Sequence, residues 1–223
     1  MQDIDTGVLL DCIYQPLTRL NLHGRETINR QNGHEPYVNV ALSFTIHDSP
    51  FAIALMPDVP DLPRPSQLWK QLPPERRLQA AEAFWRDEQA SMEQAEAVAV
   101  IAYRIKFRVK SVATMPIDKK SRQLAAVATV SEMVAARLLV AYHLAAQRPM
   151  MGSFLDALGI KHQDGLIEEE DMPAPSEEKL RAAATAIAAQ YPHEDVALYL
   201  TTLVWQDPDT WGGLTEAPEI RLS

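Results

Sequence analysis

The sequence predicts a mainly α protein: an irregular multi-helix bundle with an N-terminal β-hairpin appendage. Three observations carry that expectation. Residues 61–223 hold twenty-seven alanines against three in residues 1–60, and alanine is the strongest helix former. Downstream of residue 65, apolar residues recur at helical spacing in segments punctuated by proline. Period-two alternation, the mark of a half-buried strand, stands out at only two places, 38–55 and 103–110.

The first of these lies in the appendage, residues 1–60. Val38, Val40, Leu42, Phe44 and Ile46 alternate with polar or small residues, His47-Asp48-Ser49-Pro50 supplies a turn, and Phe51, Ile53 and Leu55 resume the period. This predicts a hairpin at about 37–56, which must pack against something because a lone hairpin is marginal in water. Residues 56–65 carry four prolines and read as an extended linker to a helical domain at 61–223. Two explanations of the seam stand side by side. Either the appendage docks on the helical body, or translation naturally starts at Met56.

Within the body, Ser66–Trp69 reads as a short helical turn. Pro73-Pro74-Glu75 then opens a helix running to about Glu88, with proline in the first turn and an acid near the positive end of the helix dipole. Further helices are expected at about 89–104, 117–128, 131–147, 150–158, 176–190 and 194–205. The 131–147 segment is apolar nearly all round and should be the buried centre. Gly159 fits a left-handed C-terminal cap. The last stretch, from Trp205, should be irregular and pinned by Trp205 and Trp211.

Composition bounds the function. With 223 residues, 47% of them hydrophobic, a sizeable core is expected. The single cysteine, Cys12, excludes an internal disulfide and a multi-cysteine metal site. Asp3 and Asp5 stand where a signal peptide would carry cations, and no apolar run is of membrane-spanning length, so a cytoplasmic protein without a membrane partner is expected. Phosphate-loop, dinucleotide-binding, nucleophile-elbow and zinc-protease motifs are absent. No cofactor and no metal are expected.

Three fragments could carry chemistry. Ile160–Asp171 matches a calcium loop around Gly165 but fails at its first and third positions, where Ile160 and His162 stand, and is expected to be an acidic surface loop. Ser153, Asp156 and His162 could converge as nucleophile, orienter and base, with no oxyanion signature beside them. Arg137, Tyr142 and His143 on the central helix could line a catalytic pocket. Arg137 and His143, six residues apart, are however turned about 240° from each other.

The strongest signal is Tyr103–Lys110, where apolar and cationic residues alternate. Residues 104–122 hold seven cations against one acid, a net of +6 in a chain of net −9. Candidate binding residues are Arg104, Lys106, Phe107, Arg108, Lys110, Lys119 and Lys120. The helical run before them favours a helix ending near Arg104–Lys106, followed by an irregular basic loop up to Pro116. Residues 163–223 carry a net of −10, enough to neutralise the patch internally or across copies. The expected function is therefore non-enzymatic: contact with a protein partner, or self-association. The alternatives are a small-molecule enzyme using the central-helix pocket, and a nucleic-acid or phosphate binder using 104–122.

Overall fold

The computed structural model describes residues 62–168 and 173–221. The expected hairpin at 37–56, and the appendage with it, lie outside those residues. The described part is mainly α, with ten helices in chain order. They are α1 (Pro65–Gln71), α2 (Pro74–Phe84), α3 (Ser91–Ile105), α4 (Val109–Ala113), α5 (Ile117–Ala125), α6 (Glu132–Ala146), α7 (Arg148–Leu158), α8 (Glu177–Ala188), α9 (His193–Gln206) and α10 (Pro208–Trp211). Among the described residues, no helix is long and apolar enough to cross a membrane.

Proline and short polar side chains start these helices. Pro65, Pro74 and Pro208 occupy first turns, where the missing N–H is not needed. Ser131 caps α6 by accepting from the Val134 N–H at 3.2 Å, and Asp207 caps α10 by accepting from the Thr210 N–H at 3.1 Å. Gly159 ends α7 at φ 73°, the left-handed cap expected from sequence.

The core has two parts sharing the central helix pair. α1–α6 enclose Leu68, Trp69, Phe84, Ile101, Leu124 and Leu138, while α7–α10 and two closing 3-10 turns enclose Phe154, Leu180, Ile187, Leu200 and Trp211. α6 is the hub, with nine of its fifteen residues buried. It packs against α1, α2 and α3 on one side and α9 on another, which is why its sequence is apolar nearly all round. Trp69 donates its indole N–H to the Val127 carbonyl at 2.9 Å. Trp205 donates to the Pro63 carbonyl at 3.0 Å, tying the start of the described chain to α9.

Three local expectations are corrected. The region after α3 is no loop up to Pro116: Val109–Ala113 forms α4, because Val112 buries completely and draws the chain back onto the core. The stretch after Trp205 is not irregular but runs through α10 and 3-10 turns at Gly212–Glu216 and Pro218–Ile220, pinned by buried Trp211. The acidic loop after α7 is a small antiparallel hairpin, β1 (His162–Gln163) and β2 (Leu166–Ile167). Its two-residue turn, Asp164 and Gly165, has φ values of 54° and 81°, the conformation that Asp-Gly favours.

Gly165 is also held close. A Cβ there would lie 2.9 Å from the Met151 Cβ and 3.0 Å from the Arg148 carbonyl, whereas one on Gly159 would meet nothing within 4 Å. Gly165→Ala should therefore cost about 3 kcal/mol, against about 1 kcal/mol for Gly159→Ala, which meets the left-handed strain alone. Thermal unfolding of both variants checks this, and equal losses would show that the close approach does not matter.

Candidate functional site

The two regions singled out by sequence fare differently. Arg137, Tyr142 and His143 do not form one pocket. Arg137 turns toward the α2–α3 connection, where its Nε lies 2.9 Å from an Asp87 carboxylate oxygen in a mostly buried ion pair. Tyr142 accepts from the Gln147 amide at 3.2 Å and belongs to the first core cluster. His143 alone reaches a cavity of about 60 Å³, bordered also by Met151, Leu155, Tyr199, Thr202 and Trp211. The turn of about 240° between positions 137 and 143 sends them to different neighbours.

His143 is chemically quiet. Its Nε2 lies 3.2 Å from the Thr202 hydroxyl, which spends its only proton on the Leu198 carbonyl at 2.7 Å. Thr202 can then only accept, so the imidazole carries its hydrogen on Nε2, and its Nδ1 is buried without a partner among the described residues. Tyr142 and Tyr199 pack edge-on against the ring at 5.4 and 5.3 Å. Complete burial pushes the imidazole down to about 3, so it is neutral at ordinary pH. The same burial raises the Tyr199 phenol.

Asp156 and His162 do meet, at 3.2 Å, but Ser153 does not join them. Its hydroxyl lies 3.0 Å from the Tyr191 hydroxyl and donates to the Pro149 carbonyl. His162 Nδ1 accepts from the Gly165 N–H at 3.2 Å, leaving Nε2–H to donate to Asp156. Both ring nitrogens are thus committed, and none is left to act as a base. Among the described residues, no three His, Cys, Asp or Glu side chains are grouped to hold a metal ion.

The basic region is a surface corner. α3 ends at Ile105 with Lys106 left-handed at φ 56°, and the Phe107 N–H returns to the Ala102 carbonyl at 3.0 Å. This closure turns the chain sharply into α4 and leaves Tyr103, Phe107 and Val109 exposed at 89, 59 and 55%. Together with Ala99, Ala102, Arg104 and Lys106 they border an open concavity of about 660 Å³. Large apolar groups held out in water are the informative exception on a surface.

The cations divide. Arg104 donates to the Gln123 carbonyl at 3.1 Å, fastening α3 to α5, and Lys120 lies 4.4 Å over the Trp85 ring, partial burial lowering its ammonium. Arg122 makes a 3.8 Å contact with Asp118 one turn away. Lys106, Arg108, Lys110 and Lys119 are exposed and form no ion pair among the described residues. Internal neutralisation by the acidic last third is not found there.

Sequence reading missed the apolar face of α3 that leads into this corner. Met92, Ala95, Ala99 and Tyr103 are all exposed, at spacings of three, four and four residues. That periodicity was available, but it matches the buried face so closely that only the packing separates the two. No protein-family model, curated protein or solved structure matches this chain.

Proposed function

We propose that this protein works by contact, meeting a protein surface through the α3–α4 corner in the cytoplasm. The observation that carries this is the combination of Tyr103, Phe107 and Val109 held in solvent with four cations that no described residue pairs. An apolar centre bordered by charge suits a macromolecular interface: burial supplies affinity and the charges supply orientation. The enzyme alternative is weakened because Arg137 is committed to Asp87 and His143 is enclosed apart from it.

The test places a photo-reactive phenylalanine analogue at position 107 of the full chain, in cells, with position 209 on exposed Asp209 as control. Protein-linked products are expected from 107 and none from 209. No product from 107 would overturn the reading. So would a nuclease-sensitive product, which would move the site to the nucleic-acid alternative. Tyr103→Ser with Phe107→Ser should abolish contact while changing the unfolding midpoint little, because exposed side chains contribute little to stability.

A further inference from the structure

Beyond that contact, we infer a second site: the cavity beside His143, in the other half of the core, binds a small neutral alcohol. The hydroxyl satisfies the imidazole, and the alkyl chain fills the apolar remainder. Three helices and the small hairpin build the site. α6 gives Val140 and His143, α7 gives Met151 and Leu155, and α9 gives Tyr199 and Thr202. Gly165 and Ile167 add the hairpin's wall, which the close approach of Gly165 to Met151 holds in place. Half-buried Leu144 and Leu203 with exposed Gln206 mark where the cavity reaches the surface. A space between the helices of a bundle is a common place for a small ligand.

The walls choose the ligand's chemistry. Among the described residues no Asp, Glu, Lys or Arg borders the cavity, and the buried imidazole is neutral at ordinary pH. An ion entering would shed its hydration with no counter-charge to meet, so carboxylates, phosphates and ammonium groups are excluded. With the Nε2 hydrogen given to Thr202, Nδ1 is a buried acceptor that no described residue meets. The occupant must therefore donate a hydrogen bond. Tyr199 packs its ring against His143 and Phe154, at 5.3 and 5.6 Å, but its phenol makes no hydrogen bond among the described residues. A hydroxyl answers both groups with one oxygen, giving its proton to Nδ1 and accepting one from the phenol.

Water alone fits this space poorly. A volume of about 60 Å³ is several times the ~15 Å³ that holds one water, and each buried water needs about three hydrogen bonds. At the buried end only His143, Tyr199 and one remaining lone pair on Thr202 offer any. The other side chains there, Val140, Met151, Leu155 and Trp211, are apolar or turn an aromatic face, and alkyl carbons suit them. A longer chain leaves past Leu144 and Leu203 at the rim. The orphaned nitrogen and the unfilled volume, each an exception in a packed interior, are thus answered by one molecule.

Nuclear magnetic resonance of the full chain, with nitrogen-15 in its histidine rings and backbone, tests this by titration with 1-butanol. Saturable binding with a millimolar dissociation constant is expected, and the His143 Nδ1 resonance should move as it does on accepting a hydrogen bond. Methyl propyl ether, an isomer with no proton to donate, should bind at least about fivefold more weakly because it leaves Nδ1 unmet. Butanoate should not bind. His143→Leu identifies the His143 resonance, and in that variant the amide shifts of Leu155 and Thr202 should show the alcohol's advantage over the ether gone. No saturable shift, an unmoved Nδ1, or an ether that binds as well as the alcohol would each overturn the site and leave a void holding water only. The cavity and the α3–α4 corner share no residue, so cross-linking at position 107 stands or falls separately.

Discussion

Lowering the pH from 7 to 3 is expected to destabilise the fold by about 4 kcal/mol through His143 alone. The sign follows from where its proton binds. Burial holds the folded imidazole down to about 3, against 6.5 for the unfolded chain. The unfolded state therefore takes up a proton first, and stability present above pH 6.5 is lost as pH falls toward 3, at about 1.4 kcal/mol per unit. Below that the folded ring is protonated as well and the loss levels off.

The local chemistry explains why the cost is not relieved. A proton arriving on Nδ1 would create a buried donor with no acceptor among the described residues, while Nε2 already gives its hydrogen to Thr202. The flanking Tyr142 and Tyr199 rings offer no carboxylate to pair with an imidazolium. His143→Leu removes the titration while keeping an apolar side chain of similar size, and the Thr202 hydroxyl still donates to Leu198. The check is denaturant unfolding of both proteins from pH 7 to 3. Every other side chain is the same in both proteins, so the difference isolates the histidine. Curves that stay parallel throughout would show that the imidazole charges freely in the native state.

The helical class and the identity of the hub were legible because they depend on local chemistry. Alanine content, proline at first turns and Gly159 after α7 are all read from neighbours in sequence, and a 131–147 segment apolar nearly all round belongs at a centre. The small hairpin at 162–167 escaped, although Asp164-Gly165 is a strong turn signal, because strands of two residues are too short to show alternation. α4 escaped because the preceding alternation of Tyr103–Lys110 masks a five-residue helix anchored by Val112. At the candidate site, the basic window was visible as charge, and the helix exit as the end of an alanine-rich run. Its availability was not visible, since pairing with the acidic last third depends on how distant segments pack. Arg137 and His143 show the same limit: their divergence follows from helix geometry, but their partners Asp87 and Thr202 lie 50 and 59 residues away in sequence.

Arg137→Met should destabilise the protein by about 3 kcal/mol, because it leaves the Asp87 carboxylate mostly buried beside an apolar side chain. The pair clasps the first half of α6 to the connection between α2 and α3, with side-chain exposures of 9 and 17%. At such burial the attraction largely offsets the desolvation of both ions, so the whole pair adds little while either ion alone is costly. Replacing Asp87 by Asn in the same chain removes the stranded charge and keeps an acceptor for the Gln89 N–H, which now bonds the Asp87 carboxylate at 3.0 Å. The double variant should therefore recover at least about 2 kcal/mol of the loss, a coupling that a double-mutant cycle by urea unfolding reads directly. The cycle also bears on what Arg137 is for. A group held in place for substrate tends to trade stability for function, so replacing it leaves the fold as stable or more so. Loss on Arg137→Met with recovery on Asp87→Asn is the pattern of a structural clasp and not of a group held in place for substrate.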